Sequence, residues 1–266
     1  MERVCEPELM DAPSQAQAYA EADFSASDDA FSAHVLALLA HRQRGPAGAE
    51  AADAGLGADA GFGAGAGLGA GAGCGNRPPL RILDLGCGPG NISFRLARAC
   101  PHARVLGLDG AAAMLAIARE RLQAEPALAE RLSFRCARLP LAPSELEALG
   151  GGFDLLVSNS LLHHLHDPQV LWRSLRQLAA PGAWLVLRDL RLPADAAAVA
   201  ALLERHAANA SAQLRHDFEA SLRAAFRLEE VRQQLQVAGL NSLQLAELQD
   251  RYLDVWGPLA GAAPPR

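Results

Sequence analysis

Apolar positions in this chain follow two rhythms between residues 80 and 190. Short apolar runs cover about 81–85, 104–109, 132–136, 153–158 and 183–189. Unbroken runs of that length suit parallel strands buried on both faces. Between them apolar residues recur every three or four positions, which predicts helices over 90–100, 111–123 and 168–180. In the second of these Met114, Leu115 and Ala118 point inward. Asp167 and Pro168 start the third and Pro181-Gly182 ends it. Strand-helix alternation predicts a sheet with crossover helices. A helical insertion over about 194–226 and a helix over 228–238 follow. Two strand-like runs, 242–248 and 252–256, close the pattern as a hairpin.

The N-terminal part reads differently. Residues 1–9 show no pattern. A helix is expected over 13–24, and a second from an N-cap at Ser27 through Phe31, Val35, Leu36, Leu38 and Leu39 to about Arg42. This N-terminal helical cap, residues 1–44, either lies over a ligand or packs on the sheet. Because residues 1–9 carry no pattern, Met10 is expected to serve as the working start. Residues 45–76 are a Gly/Ala-rich low-complexity stretch that buries too little surface to offset chain entropy, so a disordered linker is expected. The main domain is then 77–257, with a tail over 258–266.

One stretch carries chemistry. The run Ile82-Leu83-Asp84-Leu85-Gly86-Cys87-Gly88-Pro89-Gly90 reads as a strand entering a glycine turn that opens a helix. Glycine there tolerates positive φ and lets a ligand approach the backbone. Asp109 closes the second strand, where a carboxylate can accept from both hydroxyls of a ribose. With Asp84 ahead of the tight Gly-x-Gly-x-Gly spacing, this set resembles class I S-adenosylmethionine (SAM)-dependent methyltransferases over roughly residues 80–257.

The resemblance implies an α/β, Rossmann-like, seven-stranded, mostly parallel sheet with an antiparallel terminal strand and helices on both faces. A dinucleotide dehydrogenase would not need the terminal hairpin. It implies SAM as cofactor and methyl transfer to a small-molecule acceptor by in-line displacement. Gly86, Cys87, Gly88 and Gly90 would approach the methionine moiety by backbone, with Asp84 supporting the turn or meeting the SAM amino group. Asp109 would hold the ribose, with Gly110 and Met114 beside the adenine. Asn159 and Ser160, ending strand four, would lie near the methionine end. Many relatives carry an acid in the third loop that reads the adenine amino group. Here that loop is Cys136-Ala137-Arg138-Leu139-Pro140, so backbone near Ala137 and Arg138 is expected to take its place.

The turn after strand four holds His163, His164 and His166. Either His163 or His164 is the general base of an acceptor pocket, or the stretch is the entry to the next helix with one buried, hydrogen-bonded histidine. The three histidines straddle a tight turn and do not obviously converge, so no metal is expected. His206 and His216, on the insertion, are expected to be solvated.

Composition narrows the partners. The chain has 266 residues, half of them hydrophobic but rich in alanine, and a net charge of −6. That charge argues against nucleic acid or an anionic membrane as partner. Strand four also ends in Ser158-Asn159-Ser160-Leu161 rather than the Asn-Pro-Pro-Tyr type of run found in amino-methylating DNA enzymes. No apolar run approaches the ~18 residues of a membrane span. Five scattered cysteines, Cys5, Cys74, Cys87, Cys100 and Cys136, with no Cys-x-x-Cys pair, read as reduced thiols and point to the cytoplasm.

Overall fold

The structure is a computed structural model and describes residues 1–7, 9–44 and 78–259. The expected linker over 45–76 lies outside the described residues, as does the tail from residue 260. Two helices, α1 (Pro13–Glu21) and α2 (Ser25–Arg44), precede the sheet. Then come β1 (Leu80–Leu85), α3 (Asn91–Ala99), β2 (Ala103–Asp109), α4 (Ala112–Gln123), β3 (Leu132–Cys136), α5 (Pro143–Leu149) and β4 (Phe153–Asn159). A 3₁₀ turn (Leu162–His164), α6 (Gln169–Leu178) and β5 (Ala179–Leu190) follow. The chain continues through α7 (Ala196–His206), α8 (Ala212–Ala224), α9 (Leu228–Val237), β6 (Gln244–Leu248) and β7 (Tyr252–Pro258).

The strand order is β3-β2-β1-β4-β5-β7-β6, with β7 antiparallel to both of its neighbours. The expected seven-stranded, mostly parallel sheet is therefore present. Chain direction across the sheet reverses between β1 and β4, so the crevice opens at the C-terminal ends of those two strands. Leu85, Asp109, Asn159 and Leu190 end β1, β2, β4 and β5 around it.

Alternation along the strands divides the core in two. Ile82, Leu155, Val157 and Val186 face α2 and α3, through Phe31, Val35, Phe94 and Leu96. Leu83, Leu156, Leu185 and Leu187 face α6 and α9, through Leu171, Trp172, Leu175, Val231 and Leu235. Burying each such large side chain stabilises the fold by about 1.5–3 kcal/mol. The Trp172 ring N–H also donates to Gln234 Oε1 at 3.1 Å, which fastens α6 to α9.

The two N-terminal helices are placed differently. α2 packs on the sheet. Its His34 Nδ1 meets Asp254 Oδ2 at 3.1 Å, and Asp254 accepts both arms of the Arg188 fork at 2.8 Å. α1 lies at the crevice end instead, where Ala16 packs with Ala111 and Met114 at the start of α4.

Several boundaries shift from the sequence reading. α2 begins at Ser25, with Asp23 Oδ1 accepting the Ser25 N–H, so Ser27 is not the N-cap. Asp167 Oδ1 accepts from the Gln169 N–H and Pro168 is the N-cap residue of α6 rather than its first helical residue. β5 starts at Ala179 and runs through Pro181-Gly182, because its first residue pairs with Phe153 ahead of a register shift in β4. α5 was unforeseen; its Glu145 caps it by accepting the Ala142 N–H. The main domain also extends past 257. Leu259 is buried, and its N–H donates to the Ala183 carbonyl. No helix among the described residues is long and apolar enough to cross a membrane.

Candidate functional site

The glycine turn is built by two carboxylates placed at strand ends. Asp84, in β1, is buried and accepts the Ser93 hydroxyl of α3 at 2.6 Å. It supports the turn by holding the start of the helix. Burial, only partly opposed by the Ser93 hydrogen bonds, pushes its pKa up to about 7. Asp109 Oδ2 accepts the Gly88 N–H at 2.7 Å and its Oδ1 accepts the Ala111 N–H at 2.7 Å. The second carboxylate thus ties the turn after β1 to the turn after β2. Burial raises the Asp109 pKa against those amide donors.

Two glycines show why this residue type is needed. Gly86 has φ +70°, and a Cβ there would lie 2.8 Å from the Leu161 side chain. Gly88 has φ +52° and nothing within 4 Å of where its Cβ would be. The backbone is therefore bare toward the crevice at Gly88 and covered by Leu161 at Gly86. Cys87 turns its sulfur inward, 2.8 Å from the place a Gly107 Cβ would occupy, so it offers the crevice only backbone. Burial pushes its thiol pKa up.

The remaining expected contacts lie on the same rim. Gly110 follows Asp109, and a Cβ on it would meet Leu9 Cδ2 at 2.8 Å and Arg138 Cγ at 3.0 Å. Ala137 N–H donates to the Asp109 carbonyl at 2.9 Å. Met114 is buried among Ala16, Ala111, Met10 and Tyr19, in contact with the N-terminal segment. Asn159 ends β4, and Ser160 follows at φ +60° with its N–H on the Arg188 carbonyl.

Residues 1–9 do not behave as a patternless leader. The described residues among them, 1–7 and 9, form a strap across the crevice. The Met1 ammonium donates to the Ala194 carbonyl at 2.6 Å, and Val4 N–H to the Arg223 carbonyl at 2.8 Å. The Arg3 guanidinium donates to the carbonyls of Ala224, His163 and Leu165 and stacks 3.9 Å from the Phe226 ring centroid. Their order in the sequence carries no periodicity because these contacts are made one residue at a time with distant elements.

The strap brings Glu6 to the histidine turn. His163 is 2% exposed, and its Nδ1 lies 2.5 Å from Asp189 Oδ1. Asp189, in β5, also accepts the N–H groups of Leu162 at 2.6 Å and Leu190 at 2.7 Å. On the other side of the ring, His163 Nε2 lies 3.5 Å from Glu6 Oε1. His164 Nδ1 lies 3.3 Å from the same oxygen. Burial works against a charged His163, but Asp189 outweighs it and raises the pKa. Burial and the neighbouring His163 lower His164 to about 3. Burial likewise raises Glu6, with His163 opposing. His166 stands apart, with Nε2 at 2.9 Å from the Glu6 carbonyl.

Glu6 and Asp189 were missed in the sequence. A carboxylate ending the strand after the histidine turn was the available signal for Asp189, whereas nothing local marks Glu6. His206 and His216 are both exposed, as expected, and His206 Nε2 also pairs with Asp250 Oδ2 at 2.8 Å.

Comparison with known proteins agrees with this geometry. Residues 83–185 match a family described as a methyltransferase domain. Trans-aconitate 2-methyltransferase of Deinococcus radiodurans is 38% identical over 112 residues, covering 42% of this chain and 38% of that protein. A malonyl-[acyl-carrier protein] O-methyltransferase of Bacillus cytotoxicus is 33% identical over 107 residues, covering 40% and 34%. The chain thus spans well under half the length of these curated relatives. Among solved structures, the plantazolicin methyltransferase BpumL with SAH superposes with a TM-score of 0.52 at 15% identity, over 68% of this chain and 76% of that one. Its likeness is one of fold. The strand order and the glycine turn held by Asp84 and Asp109 lie within and around the stretch that matches the methyltransferase domain, and over that stretch the chain is similar to class I S-adenosylmethionine-dependent methyltransferases.

Proposed function

We propose that this protein binds SAM at the glycine turn and transfers its methyl group to a small-molecule acceptor. The observation that carries this reading is the bare backbone at Gly88, fixed in place by Asp109 and open for 4 Å where a side chain would stand. That cradle fits a cofactor which must lie against main chain. SAM, when bound, supplies the electrophilic methyl and a neutral leaving group, so the protein's work is mainly positioning.

Each rim residue then has a task. Gly88, with Cys87 beside it, offers backbone to the methionine moiety, while Gly86 and Gly90, covered by Leu161 and by Phe94 and Phe134, shape the turn that Asp84 keeps rigid through Ser93. Asp109 has further lone pairs beyond its two amide donors and is placed to accept the ribose hydroxyls. Gly110 and Met114 flank the adenine, which Ala137 and Arg138 read by backbone. Asn159 and Ser160 border the methionine end. His163, His164 and Glu6 form the acceptor end, joined to the cofactor end through Leu161, which packs on Gly86. A small acceptor is supported by relatives named for trans-aconitate and for malonyl-acyl carrier protein. Cytoplasmic residence is supported by the free state of Cys5, Cys87, Cys100 and Cys136.

Calorimetric titration with SAM tests the reading. Asp109→Ala is expected to weaken binding by about 1.5–3 kcal/mol, roughly 10- to 150-fold, as charge-assisted hydrogen bonds are lost. Equal affinity in the two proteins removes the ribose role from Asp109, and no SAM binding by the parent chain removes the function.

A further inference from the structure

Three buried atoms with lone pairs converge at the acceptor end. Glu6 Oε1, His163 Nε2 and His164 Nδ1 all lie within 4.8 Å of one another. The protons of both rings are engaged elsewhere. Asp189 already accepts two backbone N–H groups and faces His163 as an acceptor, so His163 Nδ1 carries a proton and its Nε2 is the free end. His164 hydrogen-bonds the Pro7 carbonyl, which can only accept, so that nitrogen carries its proton. His164 Nδ1 is left without a hydrogen-bond partner, and so is Glu6 Oε1. Buried acceptors with no donor between them are costly, because each has given up water without replacing it. A second proton on His163 would join its Nε2 to Glu6 Oε1 and serve only that pair. It would leave His164 Nδ1 and Glu6 Oε1 facing each other at 3.3 Å with no hydrogen between them.

We propose that Glu6, His163 and His164 are the ligands of one divalent transition-metal ion of the zinc type, with a fourth position open toward the acceptor. The spacing fits. Zinc-type ions bond nitrogen and oxygen at about 2.0–2.1 Å, which makes a tetrahedral edge about 3.3–3.4 Å long. The two edges that run to Glu6 measure 3.5 and 3.3 Å. Two imidazoles and a carboxylate form a donor set suited to borderline metals, whereas calcium and magnesium favour oxygen alone. Asp189 supplies the outer carboxylate that orients a ligand imidazole and holds its proton on the far nitrogen. Leu162 and Leu165, both buried, flank the turn that carries the two histidines.

Such an ion replaces the general-base role expected of His163 or His164, since a coordinated nitrogen has no lone pair left for a proton. It also gives the strap a purpose. The third ligand arrives on residue 6, so the site exists only when the strap is docked. The site does not depend on the SAM reading.

The test uses the full chain, stripped with a chelator and then titrated with zinc by calorimetry. One equivalent is expected to bind. Glu6→Ala and His164→Ala are each expected to weaken binding at least ~100-fold, and Asp189→Asn ~10- to 100-fold. SAM titration of the same variants keeps the two readings apart, with unchanged SAM affinity expected in Glu6→Ala. Cobalt(II) in the parent chain gives a readout that needs no variant. The visible bands of a tetrahedral nitrogen/oxygen site are expected, without the strong near-ultraviolet band of a thiolate ligand. Failure of the stripped parent chain to bind zinc overturns the proposal. So does a thiolate band from cysteine ligation, or zinc affinity unchanged in both ligand variants.

Discussion

The two ends of the crevice are assembled in different ways. At the cofactor end, Asp84, Gly86, Cys87, Gly88 and Gly90 lie within seven consecutive residues, and only Asp109 arrives from the next strand. At the histidine turn, Glu6, His163 with His164, and Asp189 come from the N-terminal strap, the 3₁₀ turn after β4 and the end of β5. The first end is a local solution to a backbone problem, and strand, turn and helix can form it together. The second exists only after parts of the chain more than 150 residues apart have met. Its stability should therefore be that of the whole fold, and it should be the first to suffer when a remote element is removed.

The sharpest test of this contrast is Asp189. Its carboxylate holds three buried donors, the N–H groups of Leu162 and Leu190 and His163 Nδ1. Asp189→Ala leaves all three without an acceptor, at about 1–3 kcal/mol for each before relaxation. A loss on the order of 3–5 kcal/mol in urea unfolding is expected. A loss below 1 kcal/mol would show that the histidine turn is not held from β5.

Removing residues 1–9 comes next. The chain then loses the Met1, Arg3 and Val4 hydrogen bonds to the 194–224 region and to the histidine turn. At about 0.5–1 kcal/mol net for each of these five bonds, roughly 2.5–5 kcal/mol is at stake, or about 5–20 °C in Tm for a domain of this size. An unchanged melting temperature would restore Met10 as a sufficient start and make the strap an ornament.

The smallest effect belongs to the cofactor end. The folded-state pKa of Asp84 is raised by burial to about 7, from 3.8. The folded protein therefore holds this proton more tightly than the unfolded chain does. The contribution of Asp84 to stability is full below pH 3.8 and is lost as pH rises toward 7. From pH 5 to 8 the parent chain should lose nearly 3 kcal/mol of stability relative to Asp84→Asn, at about 1.4 kcal/mol for each of the roughly two pH units between 5 and the folded pKa. Parallel stability profiles of the two chains between those pH values would mean that Asp84 is ionised throughout.

The same contrast explains what could be read beforehand. The glycine turn, Asp109 and the order of strands and helices were legible because each rests on neighbouring residues or a regular period. The boundaries of β5 were less so, because the Pro181-Gly182 pair looks like a stop and only its pairing with β4 and β7 carries the strand through. The partners of His163 were not legible at all. A glutamate at position 6 and an aspartate at position 189 look like any other acidic residues until the fold places them on either side of one ring.

By itself the sequence determined the α/β sheet, the cofactor turn and the carboxylates that hold it. These follow from hydrophobic period and from glycine's freedom at positive φ, which are properties of short stretches of chain. Tertiary structure alone decided that α1 and α2 part company, that a patternless strap crosses the crevice, and that Glu6 meets two histidines above Asp189. Those contacts depend on chain closure over long distances, and a buried polar group takes whichever partner the completed fold brings within reach.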